Sequence, residues 1–172
     1  MSSVVISGDT SGTVTVSVPA VAGTNTVTIA AQSGTLNVAA PLIKADSAGT
    51  QTVSNVTITK ITLVESIDTN NCFTSSTFTP NVAGYYLVSG QVAISAGTSI
   101  TNVSAYIYKN GASMDASVGA PISATTAYAG LTTVVYMNGT TDTLELYGRG
   151  NGLGTLTLNV ASFITASLIR GA

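Results

Sequence analysis

Apolar and polar residues alternate along most of this chain at the two-residue period of a β-strand, and over residues 1–40 no segment with the 3.6-residue period of a helix competes with it. The most ordered example is residues 85–94, Tyr-Tyr-Leu-Val-Ser-Gly-Gln-Val-Ala-Ile. Tyr86, Val88, Val92 and Ile94 share one apolar face, while the opposite face carries Tyr85 and Leu87 before turning polar at Ser89 and Gln91. A strand apolar on both faces is buried on both, so something beyond its own sheet partner must cover it. Phe78-Thr79-Pro80 ends the preceding extended segment, because proline has no amide hydrogen for a sheet ladder. Val82-Ala83-Gly84 then turns the chain into the strand.

The same pattern organises the rest. Residues 12–18, 24–31 and 34–39 read as short strands, a weak repeat of Thr-Val-Thr-Val type spaced too irregularly for a solenoid. Strands this short, in a piece of about 40 residues, bury too little surface to stand alone and are expected to interleave with other chains or dock on a larger neighbour. Residues 41–55 have the composition of a linker, which divides the chain into an N-terminal β-rich segment, 1–55, and a main domain, 56–172, whose first strand is 56–64. Asn70-Asn71-Cys72 marks a loop and residues 95–99 a turn. Asn110-Gly111 and Asn138-Gly139 are hairpin signals, since Asn and Gly accept positive φ most easily. Residues 148–154 read as a glycine-rich loop feeding 155–169, the longest alternating run. That run places Leu156, Leu158, Val160, Ile164 and Leu168 on one face and Phe163 and Ile169 on the other.

Composition adds a constraint on association. The chain has 172 residues, 45% hydrophobic but only 7% charged, with a formal net charge of -2; ordinary globular domains carry about 25% charged residues. A near-neutral, charge-poor surface invites association. Lys44, Lys60, Lys109, Arg149 and Arg170 are scattered, which argues against a nucleic-acid partner. No apolar run approaches the roughly 18 residues of a membrane helix, so no membrane insertion is expected. Met-Ser-Ser-Val-Val-Ile lacks the basic and apolar regions of a signal peptide. The protein is therefore expected to be made in a cytoplasm and, if it works outside, to leave by another route such as release with virus particles. Cys72 is the single cysteine, which precludes an intrachain disulfide and reads as a small buried hydrophobe.

Candidate chemistry is thin. There is no histidine, which removes Ser-His-Asp and Cys-His catalysis and most catalytic zinc sites. The acids are Asp9, Asp46, Glu65, Asp68, Asp115, Asp142 and Glu145, and paired-carboxylate hydrolysis needs two of them facing across a cleft. Glu65 with Asp68, and Asp142 with Glu145, are near in sequence but are placed at strand ends, where solvated charges are ordinary. The glycines of 148–154 miss phosphate-loop spacing and precede a strand pattern instead of a helix. Neither an enzyme nor a cofactor is expected. Asn55, Asn102 and Asn138 begin glycosylation triplets of the kind that chance supplies in a Thr- and Ser-rich chain. Tyr106 and Tyr108 share a strand face, and tyrosine can stack on sugar rings, although core or intersubunit packing accounts for most tyrosines.

The segment Phe-x-Pro-x-x-x-Gly-Tyr-Tyr, starting at Phe78, with the strand that follows it, resembles the central strand of C1q-like globular heads, jelly rolls related to the tumour-necrosis-factor fold. Residues 103–111 resemble the strand ending in an Asn-Gly turn. Residues 139–147 resemble the Gly-Asp-x-Val-x-Leu strand, with Asp142 two residues late, and 161–169 resemble the closing strand. The resemblance covers residues 59–172 and implies an all-β fold, a two-sheet antiparallel sandwich assembled as a homotrimer. With the two-faced strands, it puts Tyr85, Leu87, Phe163 and Ile169 in the trimer interface and Asn110, Gly111, Asn138, Gly139, Arg149 and Asn151 in exposed knob loops. Some heads of this family hold calcium near the trimer axis, for which the carboxylate pairs above are the available oxygens. Residues 8–29 resemble segments recurring in structural proteins of tailed bacteriophages, beside fibre-like regions. Together these resemblances imply a virion-surface protein, a trimeric knob or short fibre anchored to a capsid or tail protein through residues 1–55. Its role would be capsid decoration and cementing, or attachment to a host surface glycan or protein. A secreted C1q-like adhesin or lectin of a cell is the alternative, disfavoured by the missing signal peptide.

Overall fold

A computed structural model describes residues 3–7, 13–17, 40–119 and 124–172. The chain divides into two units, Met1–Ser33 and Gly34–Ala172. In the first, β1 (Ser3–Ser7) pairs antiparallel with β2 (Thr13–Ser17), with Val4 opposite Val16 and Ile6 opposite Val14. A two-stranded sheet is marginal by itself in water. The strands expected at 24–31 and 34–39 lie outside the described residues.

The second unit contains β3 (Leu42–Ser47), β4 (Thr52–Val53), β5 (Thr59–Lys60), β6 (Leu63–Asp68), β7 (Phe73–Thr74), β8 (Thr77–Phe78) and β9 (Gly84–Lys109). It continues with β10 (Ala112–Val118), β11 (Ala124–Met137), β12 (Leu144–Leu153), β13 (Leu156–Leu158) and β14 (Phe163–Gly171). Every pairing among the described residues is antiparallel, and β9, 26 residues long, belongs to both layers of a sandwich. Its first half, Gly84 to Ser95, lies between β11 and β14; β14 continues to β3 and β3 to β6. Its second half, Ser99 to Lys109, lies between β10 and β12, and β12 continues to β5 and β8.

The layers meet through the alternation. Tyr86, Val88, Val92 and Ile94 from the first sheet are fully buried, as are Ala105, Ile107, Leu144 and Leu146 from the second. Phe78 meets the Tyr86 ring edge-on at 5.5 Å, and the Tyr86 hydroxyl donates to the Val82 carbonyl at 2.7 Å. Some contacts leave no room for a side chain. A Cβ on Gly90 would lie 2.8 Å from Leu146, and one on Gly148 only 2.7 Å from Val92. The sheets approach most closely where one contributes glycine and the other a branched residue.

Several expectations need correction. Residues 42–53, read as linker, include β3 in the middle of the first sheet, between β14 and β6, and β4 beside β13. Ile43 and Ala45 point into the core there, a two-residue signal that the surrounding Lys, Asp and Ser obscured. Among the described residues, the first strand of this unit is therefore β3, and residues 56–64 hold only β5 and the start of β6. No turn occurs at 95–99; the chain stays extended and crosses between layers, with Ala96 opposite Leu156 and Ser99 opposite Leu153.

The glycine-rich stretch is strand as well. Gly148, Gly150 and Gly152 continue the buried positions of β12 begun by Leu144 and Leu146, and Arg149 and Asn151 alternate outward. The run 155–169 breaks into β13 and β14 at Asn159, whose carbonyl accepts from the Ser162 amide at 3.1 Å, leaving Val160 72% exposed.

Candidate functional site

Each sheet has an outer face, and the two differ in chemistry. Across the outer face of the first sheet, the register sets side chains in rows. Tyr136 lies opposite Tyr85; Val134 opposite Leu87, followed by Ser167 and Leu42; Thr132 opposite Ser89, followed by Thr165, Lys44 and Ile67. Phe163 stands between Gln91 and Asp46, with Val64 beyond. This face is apolar at one end and hydroxyl-rich in the middle.

Its apolar end is open. Tyr85 is 44% exposed, Leu87 42%, Val134 51%, Tyr136 43% and Ile169 53%; Phe163, beyond the polar middle beside Gln91, is half-buried. The Tyr85 and Tyr136 rings meet edge-on at 5.5 Å, and the Lys109 ammonium lies 5.8 Å from the Tyr136 ring centre. Scattered apolar residues are normal on a protein surface, but a contiguous group marks an interaction site. In the polar middle, a hydrogen bond joins the Ser89 and Thr132 hydroxyls at 2.9 Å. Lys44 Nζ donates to Asp46 Oδ2 at 2.6 Å, and Ser66 Oγ donates to the same carboxylate at 2.8 Å. These bonds, Lys44 first, hold the Asp46 carboxyl below its usual range. Lys44 and Asp46 pair with each other, so a cover over this face strands neither charge.

Tyr85, Leu87, Phe163 and Ile169 thus lie on one sheet, three of them exposed. Sequence reasoning missed their neighbours Val134 and Tyr136, although the outward sequence Tyr128, Gly130, Thr132, Val134, Tyr136 has a legible two-residue period. Leu42, Val64 and Ile67 join the face only through long-range pairing, which local pattern does not reveal.

The outer face of the second sheet is built around tyrosine. Tyr106 and Tyr108 of β9 and Glu145, Tyr147 and Arg149 of β12 point outward together. The Tyr108 and Tyr147 rings stack with centres 4.0 Å apart, and Tyr106 stands edge-on to Tyr108 at 6.5 Å. Lys60 Nζ donates to Glu145 Oε1 at 2.6 Å, Thr77 Oγ1 donates to the same oxygen at 3.0 Å, and the Tyr147 hydroxyl donates to Oε2 at 3.3 Å. Partial burial alone would raise the Glu145 carboxyl, but the Lys60 and Thr77 hydrogen bonds outweigh it and keep the group below its usual range. Burial, then the neighbouring Glu145 charge, pushes the Tyr147 hydroxyl upward.

The predicted loop residues separate. Asn110 and Gly111 form the β9–β10 hairpin, both at positive φ (52° and 77°), as the Asn-Gly signal requires. Asn138 and Gly139 form no hairpin, because β11 and β12 pair with different halves of β9 and the loop joins the two sheets. Asn138 Oδ1 accepts from the amides of Thr140, Thr141 and Asp142 at 2.9, 2.9 and 3.0 Å. Asp142 ties the two loops together. It accepts from Asn110 Nδ2 at 2.8 Å and from the Asn138 amide at 3.0 Å, and it pairs with Lys109 at 2.9 Å. The Asn110 and Lys109 hydrogen bonds hold its carboxyl low. Arg149 and Asn151 sit on β12, with Arg149 Nε donating to the Val56 carbonyl at 3.1 Å.

The carboxylates near in sequence thus have separate structural duties. Asp68 accepts from the amides of Asn70 and Phe73, Asp142 staples loops, and Glu145 binds Lys60. Among the described residues, no group of three or more His, Cys, Asp and Glu is placed to hold a metal. Cys72 is buried, donating to the Asn70 carbonyl at 3.4 Å, and burial pushes its thiol up.

Known structures share this arrangement. Murine APRIL at pH 5.0 superposes with a TM-score of 0.59 at 10% identity, over 76% of this chain and 99% of that one. The globular domain of zebrafish complement 1qA gives 0.57 at 12% identity, over 77% and 99%. The fold is a C1q/TNF-type jelly roll. An Eiger TNF from S. frugiperda gives 0.53 at 14% identity, over 77% of this chain and 93% of that one. No family model matches the sequence, and no curated protein sequence does. At 10–14% identity, the likeness of this C1q/TNF-type domain to these structures carries the fold alone.

Proposed function

We propose that this protein is a homotrimeric, non-enzymatic knob on the surface of a bacteriophage particle, anchored to another virion protein by its N-terminal segment. The observation that carries the reading is the open apolar end of the first sheet, where Tyr85, Leu87, Val134, Tyr136 and Ile169 remain accessible in a chain with 7% charged residues. Three copies closed around an axis bury that end of each sheet and turn the tyrosine-bearing sheets outward. The separate β1–β2 unit, too small to be stable alone, supports an anchoring role. The phage-like wording of residues 8–29 supports a virion setting.

The outward sheets serve attachment to the host surface. The test combines solution mass, antibody labelling of intact particles with copy number, and competition of purified protein against phage adsorption. Attachment predicts a trimer, label at adsorption structures and blocked adsorption. Label on the capsid lattice with unblocked adsorption assigns the same assembly to decoration. Absence of the label from particles ends the virion reading and favours a secreted adhesin.

A further inference from the structure

The geometry points to a saccharide-binding platform on the outer face of the second sheet, made by Tyr106, Tyr108 and Tyr147 with Glu145 beside them. Three tyrosines from two adjacent strands are in mutual contact there, each half-buried, on the face turned away from the core. None is needed to fill the core, which lies on the other side of both strands and is closed by Ala105, Ile107, Leu144 and Leu146. An aromatic ring offers the C–H face of a pyranose an apolar surface, and its hydroxyl offers a hydrogen bond.

The polar groups around the rings fit the same ligand. Glu145 Oε1 takes both Lys60 and Thr77, while Oε2 has only the 3.3 Å contact from Tyr147. A carboxylate oxygen accepts two hydrogen bonds, so Oε2 has capacity for a ligand hydroxyl. Lys60 and Thr77 hold the carboxylate ionised and fixed, so accepting that hydroxyl needs no rearrangement. Charge narrows the class. Lys60 and Glu145 beside the rings offset each other, and Arg149, the third charge on this face, is held on the Val56 carbonyl. A neutral, hydroxyl-rich ring suits both the apolar faces and the spare acceptor. The platform is on the opposite side of the sandwich from the open apolar face, so assembly through that face leaves it accessible. The inference deepens the attachment reading and rests on it for the biological setting, but binding is measured on the pure protein.

The test titrates the full-length protein with neutral oligosaccharides built from glucose, galactose, rhamnose and N-acetylhexosamines, by calorimetry and by NMR of labelled tyrosine rings. The expected result is a Kd of about 1 mM or tighter for at least one of them, with shifts at Tyr106, Tyr108 and Tyr147. Tyr147→Ala should weaken binding about tenfold, Tyr147→Phe should retain most of it, and Glu145→Gln should weaken it several-fold. Should Tyr147→Ala fail to fold, Tyr106→Ala and the wild-type ring shifts carry the test. No binding, or binding that leaves these ring signals unmoved or survives both Tyr147→Ala and Tyr106→Ala, overturns the platform. Wild-type protein that is trimeric, blocks adsorption and binds none of the sugars sinks the platform alone; a monomer that binds sugar at these rings sinks the assembly alone.

Discussion

Leu87→Asp tests the assembly at its centre. Leu87 faces outward between Val134 and Ser167 on the apolar end of the first sheet. Fully burying a leucine contributes roughly 1.5–3 kcal/mol, so the 42% of Leu87 still accessible represents about 1 kcal/mol per subunit and about 3 kcal/mol for a trimer. In the single chain an aspartate at this position keeps contact with water and costs about 1 kcal/mol in strand preference. In the trimer it removes the apolar gain and places an unpaired carboxylate in each interface, several kcal/mol apiece. The variant should therefore fold and fail to assemble. Sedimentation equilibrium reads this directly: three times the 17.2 kDa chain mass for wild type, 17.2 kDa for Leu87→Asp, with matching circular dichroism. Val88→Asp on the same strand is the contrast, because Val88 is fully buried and a charge there should unfold the chain. A wild-type protein sedimenting as one chain, or a Leu87→Asp variant that keeps the wild-type mass, would refute the argument.

Gly148→Ala should destabilise by about 1–3 kcal/mol through overpacking, since its Cβ would fall 2.7 Å from Val92 and 3.0 Å from Ile61; urea denaturation measures the change, and wild-type stability would mean the sheets are looser than described. Gly139→Ala should be worse, because its Cβ would meet the Ala83 backbone nitrogen at 2.4 Å and φ is 73°. Burial, then the Cys72 charge, pushes the Tyr86 hydroxyl from 10.0 up to about 12, a folded value above the unfolded one. Its contribution is thus complete below pH 10 and lost as pH rises toward 12, on the order of 3 kcal/mol; denaturation from pH 9 to 12 should fall less steeply in Tyr86→Phe. Asp142 behaves in the opposite sense. Its carboxyl is held below 3.8, so its contribution is present above that pH and disappears as pH falls through the lower folded value. Asp142→Asn should cost roughly 1–2 kcal/mol at neutral pH and flatten the acid limb of the stability profile.

Legibility in the sequence followed the range of the interactions. The alternation at Tyr86, Val88, Val92 and Ile94 specifies an inward face by local sterics alone, and all four are fully buried. Asn110-Gly111 specifies its hairpin equally locally, through two positive φ angles. Failures came where a residue's role is set across the sandwich. Gly148, Gly150 and Gly152 imitate a loop because glycine is common in turns; here the opposing Val92, Ile94 and Leu156 fill the space their side chains would occupy. Residues 95–99 imitate a turn for the same reason. The candidate surfaces were half legible. Tyr85 and Leu87 stand out by type, and Tyr106 and Tyr108 share a face by spacing. Tyr147 and Glu145 reach them by strand pairing, and Lys60 reaches Glu145 from 85 positions away, which no local pattern announces.

Because β9 supplies a central strand to each layer, neither layer can peel away without tearing the one backbone they have in common. Amide protons at the middle of the strand's two halves, around Val88 and Ile107, are therefore expected to exchange with deuterium through the same global opening and at closely matched rates. A sandwich made this way comes apart all at once, not layer by layer.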